Sequence, residues 1–358
     1  MALVIYTFLS AVRTFVMPRS SNVMLTRIVF RATNLAFRFR LRHVTTYEDR
    51  DRVMALYAPL ALLVLPAVWA AIILLGYMFM YWAIEPRPLY DVFSLSGSSL
   101  LTLGFTKSEG FLSLLFEFSE AVFGLTMIAL LIAYLPTMYS AFSRRESMVA
   151  MLEVRAGAPP SPYELLTRAQ RIRGLDALTE LWVQWEVWFV EVEQSHTSLA
   201  ALIFFRSPQP NVSWITAAGV ILDTASILAS TVDVPNNPQA QLMIRAGYIA
   251  LRRIADYFSM EYNSNPTPDD FISISQAEYD ALYDQLAAAG LPLKPDREAT
   301  WRAFRGWRVN YDHVLLGLAA LTMAPYAQWV SDRSLPHRRR LLFNKGKEHQ
   351  RINDSGMS

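Results

Sequence analysis

The stretch SGSSLLTLGFTKSEG, Ser96 to Gly110, lies between two long apolar runs, and its reading decides what kind of protein this is. A plain hairpin between two membrane helices needs only a handful of polar residues, yet the segment from Glu85 to Gly110 has 26. Its middle, LYDVFSLSGSSLL (Leu89 to Leu101), carries a single charge and suits a short helix, after which TLGFT runs directly into charged residues. Apolar, non-helical backbone at membrane depth is tolerated only where protein buries it or where it lines a watery cavity. A re-entrant helix followed by a stretch of exposed backbone is one way to use such a segment.

The flanking runs set the context. From Met54 to Ile84 there are 31 residues without a charge, more than enough to cross a bilayer core with some tilt. Pro59 and Pro66 fall inside this run, where neighbouring helices can satisfy the freed carbonyls, and Tyr77, Tyr81 and Trp82 crowd one end as an interfacial aromatic belt does. The second run, Phe111 to about Phe142, carries only Glu117 and Glu120, both in its first third. Orientation follows from arginine. Arg38, Arg40, Arg42, Arg50 and Arg52 precede the first run and Arg144 and Arg145 follow the second, while Arg87 and Lys107 in the connection are balanced by Glu85, Asp91 and Glu109. The excess of basic residues predicts that both outer ends face the cytoplasm and the connection faces outward, as expected of an inner (plasma) membrane protein.

Composition agrees with a mixed chain. The 358 residues are 53% hydrophobic, with a mean hydropathy of +0.21, too apolar for an ordinary soluble protein and too polar for one built wholly of membrane spans. There is no cysteine, which excludes disulfides, thiolate metal sites and cysteine nucleophiles. The first 17 residues read either as a short membrane helix of roughly 25 Å or as a segment lying on the surface. Residues 20–47 hold five arginines and no acid before Glu48, next to Asp49. Arg27, Arg31, Arg38 and Arg42 fall within about 60° of one another on a helical wheel. With Phe30, Phe37 and Phe39 on the remainder, this predicts a basic amphipathic helix whose arginines meet anionic lipid headgroups; a basic linker that only enforces topology is the alternative.

Outer helix, short helix, Thr-Leu-Gly-Phe and inner helix together resemble the two-helix, one-pore-loop module of the potassium-channel superfamily. The likeness covers residues 54–145, roughly a quarter of the chain. It implies a homotetramer around one axis, a permeant monovalent cation (K+ first) and no other cofactor. Carried over by position, Ser98 and Ser99 end the pore helix, and Thr102, Leu103, Gly104, Phe105 and Thr106 occupy the filter. Lys107 and Glu109 stand at the mouth, and Gly124 and Pro136 fall near the family's inner-helix hinge and cytoplasmic kink. Two positions depart from the family. Its fifth filter residue is glycine, where this chain has the β-branched Thr106, and its acidic residue after the filter is replaced by Lys107. Four copies of Lys107 would repel entering cations unless Glu109 or Glu85 neutralises them.

Glu117 and Glu120, ionisable groups within a spanning run, are expected to support the filter or attract cations, and their i, i+3 spacing does not separate the two roles. From residue 146 to 332 the pattern is that of a mainly helical cytosolic domain. Leu178, Trp182, Trp185 and Phe189 recur at helical intervals, and SPQPN (Ser207 to Asn211), DVPNNP (Asp233 to Pro238) and NSNPTPDD (Asn263 to Asp270) bound further helices. The apolar runs Ile215 to Ser230 and Val314 to Val330 are short for membrane spans and read as core helices. Residues 333–358 read as a basic, disordered tail. Glu193 and His196 form half of a Glu-x-x-His pair signature without a second copy, which points to no metal site. No phosphate loop, nucleophile elbow or nucleic-acid motif appears, so neither an enzyme nor a nucleic-acid binder is expected. The fold expected is mainly α, a membrane helical pore module plus an α-helical cytosolic domain, and the functional expectation is cation conduction. The alternative is a non-conducting, membrane-anchored sensor or scaffold with a degenerate pore module.

Overall fold

The computed structural model describes residues 1–16, 24–41 and 47–333. They are mainly helical and contain no β-strand. Their packing divides into two units, Met1–Met151 with Gln194–Trp214, and Leu152–Glu193 with Ile215 onward. Arg42, residues 20–23 and 43–46 of the expected basic helix, and the tail from residue 334 lie outside the described residues.

The first unit is built on two helices long and apolar enough to cross a membrane: α4 (Tyr57–Ile84) and α6 (Phe111–Ala156). At 1.5 Å per residue they measure roughly 42 Å and 69 Å. Pro59 sits in the first turn of α4, where its missing N–H is harmless, and Pro66 lies inside the helix. Leu62, Leu65, Trp69, Ile73, Tyr77 and Tyr81 form one buried stripe along α4 at intervals of three and four. On α6 the buried stripe runs through Ser113, Glu120, Met127, Tyr134, Met138 and Ala141. The other faces carry exposed apolar side chains, among them Leu63, Phe79 and Trp82 on α4 and Phe118, Val122, Leu125 and Ile132 on α6. An apolar perimeter of that extent needs lipid or protein against it.

Two earlier helices brace the pair. In α1 (Ala2–Phe15), Val4 fills a notch at Gly76 of α4, where a Cβ would stand 2.5 Å from the valine Cγ2. Phe8 stacks on Phe123 at 4.4 Å, and Phe15 meets Trp69 and Tyr134 at 5.3 and 4.6 Å, so α1 packs along both α4 and α6. The basic stretch forms α2 (Met24–Leu41), which buries Val29 and Leu41 and exposes Met24, Ile28, Leu35 and Phe39. A short α3 (Tyr47–Ala55) leads into α4. Between α4 and α6 lies α5 (Leu89–Leu100), with Val92, Leu95, Ser96, Ser98 and Leu100 buried.

The second unit starts its helices with caps that are plain in the sequence. Ser161 accepts from Glu164 N ahead of α7 (Pro162–Ile172), and Asn237 accepts from Ala240 N ahead of α10 (Pro238–Tyr257). Ser275 and Glu278 form a reciprocal capping box on α11 (Gln276–Ala288), and Asp296 caps α12 (Arg297–Arg308). In α8 (Leu178–Ser198), Leu178, Trp182, Trp185, Trp188 and Phe189 are all buried. The first apolar run is the core helix α9 (Trp214–Ser230), and the second is helical only to Thr322, as α13 (Asp312–Thr322), where Met323 turns left-handed at φ 50° and ends it.

Asp223, which interrupts the apolar run of α9, is buried and finds its partner 85 residues later. Nη1 of the fully buried Arg308 donates to both Asp223 oxygens at 2.6 and 2.7 Å, Nε to Asp312 Oδ1 at 2.7 Å and Nη2 to the Trp329 carbonyl at 2.6 Å. Tyr311 donates to Asp223 Oδ1, and Ser273 donates to Asp312 through both its amide and its hydroxyl. Burial pulls the Arg308 pKa down, but the carboxylates of Asp223 and Asp312 outweigh it and hold the guanidinium above its ordinary value.

Candidate functional site

The site is the chain between the end of α5 and the start of α6. Ser98 organises it. Its backbone carbonyl accepts from Leu103 N at 2.8 Å, while its hydroxyl accepts from Phe105 N at 3.1 Å and Thr106 N at 3.3 Å. Thr102 N donates to the Ser99 carbonyl at 3.0 Å, and the Thr106 hydroxyl lies 3.2 Å from that of Ser94. Farther on, Ser108 N donates to Glu117 Oε1 at 2.5 Å. The amides of Thr102, Leu103, Phe105, Thr106 and Ser108 are therefore turned back onto α5 and α6, and that of Gly104 is not.

The carbonyls are not. The oxygens of Thr102, Leu103, Gly104 and Phe105 accept no hydrogen bond from the described residues, and Leu103 and Phe105 are exposed. Two alternate residues have left-handed backbone, Thr102 at φ 54° and Gly104 at φ 69°. Glycine adopts this cheaply, whereas a β-branched threonine there is a strained outlier of the kind concentrated at functional sites. Thr106 does not share the left-handed backbone. A loop with most of its donors spent and four successive acceptors open is suited to ligate a cation.

The two inner-helix acids both serve this loop. Glu120, fully buried, lies 2.5 Å from the Ser96 hydroxyl and accepts from Tyr81 at 3.1 Å, joining α6 to α5 and α4. Ser96 Oγ is also 2.9 Å from the Leu74 carbonyl. Glu117 holds the descending end of the loop through Ser108. Gly124 is a contact point: a Cβ there would stand 2.0 Å from the Leu100 carbonyl, so only glycine lets α6 approach the end of α5. The helix is unbroken through Gly124 and through Pro136. Ser99 bonds the Leu95 carbonyl within α5. Lys107 and Glu109 are exposed and form no ion pair among the described residues. Glu85 is committed elsewhere, pairing with Arg87 at 2.8 Å and accepting from Ser113 at 2.7 Å.

At the other end of α6, Arg145 is spent inside the protein. Its guanidinium reaches Glu146 at 2.7 Å, the Leu202 and Phe205 carbonyls at 2.9 and 2.7 Å, and His196 Nε2 at 3.1 Å. A guanidinium only donates, so His196 accepts at Nε2 and carries its proton on Nδ1, 3.1 Å from Ser195 Oγ. This cluster, with Arg206 paired to Asp51, is why residues 194–214 pack with the first unit although they lie far from it in sequence. Glu193 pairs with Arg253 at 2.7 Å. Tyr81, expected with Tyr77 in an interfacial aromatic belt, is instead buried and bonded to Glu120, and the roles of Ser94 and Ser96 were not foreseen from the sequence. Their only signal is hydroxyl groups spaced along otherwise apolar helices.

No family model, no curated protein and no solved structure matches the chain.

Proposed function

We propose that the chain is an integral membrane protein whose residues 54–145 assemble, as a homotetramer, a pore for monovalent cations, with K+ the first candidate. In this reading α4 is the outer helix, α5 the pore helix, Thr102 to Phe105 the ligating row and α6 the inner helix. The ends of the hairpin and the second unit face the cytoplasm at the inner membrane. The arginines of α2, Arg27 and Arg31 together with Arg38 and Arg42, meet anionic headgroups there. The second unit regulates the pore and is not an enzyme.

The observation that carries the proposal is the one-sided loop: amides bound to α5, carbonyls of four successive residues open, and left-handed backbone at Thr102 and Gly104. Rings of such carbonyls replace an ion's hydration shell, and one row per chain requires several chains to close a ring. The test is cation flux from liposomes holding the purified protein, K+ against Na+, for wild type and Gly104→Ala. A Cβ at Gly104 meets no atom within 4 Å, so the variant should fold; only its backbone angle is resisted. Flux that falls at least tenfold in Gly104→Ala supports the pore, and folded wild type that passes no cation refutes it.

One observation favours a second reading, a non-conducting anchored sensor or scaffold. Thr106 is bound back to Ser94 and Ser98 where the family continues with glycine, and Lys107 beside it is unneutralised by Glu85. Intact membrane insertion with no flux under any cation gradient would select it.

A further inference from the structure

We infer that Ser98 is the positioning residue of the cation-ligating row, an inference that rests on the pore reading above. A carbonyl and the following N–H belong to one rigid peptide plane, so fixing the N–H fixes where the carbonyl points. Ser98 fixes three such planes from a single residue. Its carbonyl takes Leu103 N, which orients the Thr102 oxygen; its hydroxyl takes Phe105 N and Thr106 N, which orients the oxygens of Gly104 and Phe105. The hydroxyl is suited to this because it has two lone pairs and both are used. Ser98 is 1% exposed, so water does not replace it. Its place is set by Glu120 and Gly124 in turn, the first holding α5 two residues earlier through Ser96, the second admitting the end of α5 against α6.

The consequence concerns discrimination between ions. Selectivity requires oxygens held at set positions, and a row free to turn accommodates ions of different radius alike. The Ser98 hydroxyl therefore tunes the ratio of K+ to Na+ permeability, whatever its value in the wild type. The Thr33 hydroxyl, which bonds the Val29 carbonyl within α2 and lies outside residues 54–145, does not.

Two measurements on the full-length protein test this. Amide hydrogen exchange is followed across the peptides covering 101–110 in wild type, Ser98→Ala, Ser98→Thr and Thr33→Ala. Reversal potentials under K+ and Na+ gradients are recorded for the same four proteins in planar bilayers. Ser98→Ala, which removes two hydrogen bonds, should speed exchange in the loop and change the permeability ratio by at least about twofold, the smaller weight of a single one. Ser98→Thr, which keeps the acceptor, should restore both, and Thr33→Ala should leave both unchanged. Unaltered exchange in Ser98→Ala overturns the tie, and faster exchange with an unaltered ratio overturns its role in selectivity, each while the pore reading stands. Wild type that inserts, folds and never conducts removes the pore reading itself, and the exchange data then report the tie alone. Should Ser98→Ala fail to fold, the contrast between Ser98→Thr and Ser98→Cys, a weaker acceptor, gives the same two readouts.

Discussion

The loop after α5 and the Arg308 cluster both gather polar groups against apolar helices, and they spend their hydrogen bonds in opposite ways. Around Arg308, two carboxylates and a carbonyl meet one guanidinium with every Arg308 nitrogen bonded, and a phenol and a serine donate to those carboxylates. Burial and the Asp223 carboxylate hold the Tyr311 phenol well above its ordinary pKa, so it remains a donor. Around Ser98 only the donors are matched and four carbonyls are left over. A closed cluster has no valence for a ligand and contributes to the fold. An open row contributes less to the fold and keeps a binding capacity, so the two regions should respond to mutation in opposite currencies, one in stability and one in transport.

The largest expected effect breaks the closed cluster. Arg308→Met leaves Asp223 and Asp312 buried without their cation and should cost about 3–5 kcal/mol, read as a fall in the unfolding temperature by tryptophan fluorescence. A loss under about 1 kcal/mol would mean that the cluster is not closed against water. Gly124→Ala comes next. Its Cβ meets a backbone carbonyl, which cannot swing aside, so overpacking should cost about 1–3 kcal/mol in detergent melts. Gly97→Ala is the control, because the nearest atom to its Cβ is the Leu74 Cδ1 at 4.0 Å. Equal melting of the two variants would remove Gly124 as the contact that seats α5.

The smallest effect is at Glu278. Burial alone would raise its carboxyl, but hydrogen bonds from Arg333 and Ser275 outweigh it and hold the pKa down to about 2. A carboxyl depressed on folding contributes stability above its unfolded pKa of about 4.3 and loses it as the pH falls toward the folded value. Because the side chain is 40% exposed, solvent screening limits the contribution to at most about 1 kcal/mol. Glu278→Gln should therefore be slightly less stable than wild type at neutral pH. The gap should close between about pH 4.5 and 2, measured by denaturant titration at each pH. A gap unchanged at pH 2 would assign the effect to the helix cap instead of the Arg333 pair.

Local features were legible in the sequence because their causes are local. The uncharged run from Met54, the breaker DVPNNP ahead of α10, and the four-three-four spacing of Leu178, Trp182, Trp185 and Phe189 each state a helix within a few residues. The candidate loop was legible for the same reason, as Thr102 to Thr106 lie in one stretch. What joins distant residues was not. Asp223 looked like an interruption until Arg308 met it, and Glu117 and Glu120 looked interchangeable until one was found on Ser108 and the other on Ser96. Arg145 counted as a topology charge, whereas its donors close the carbonyls of Leu202 and Phe205. That pairing brings residues 194–214 into the first unit, ahead of any boundary that composition would draw.

The ties at Ser98 also leave a weak joint. Counting from Thr102 to Thr106, each peptide plane has its N–H held except the one between Leu103 and Gly104, whose carbonyl and N–H bond none of the described residues. That plane can rotate about its two Cα atoms without breaking a bond elsewhere in the loop, and glycine on one side removes the steric cost of doing so. Half a turn would put an N–H where an oxygen stood and interrupt the row at its middle.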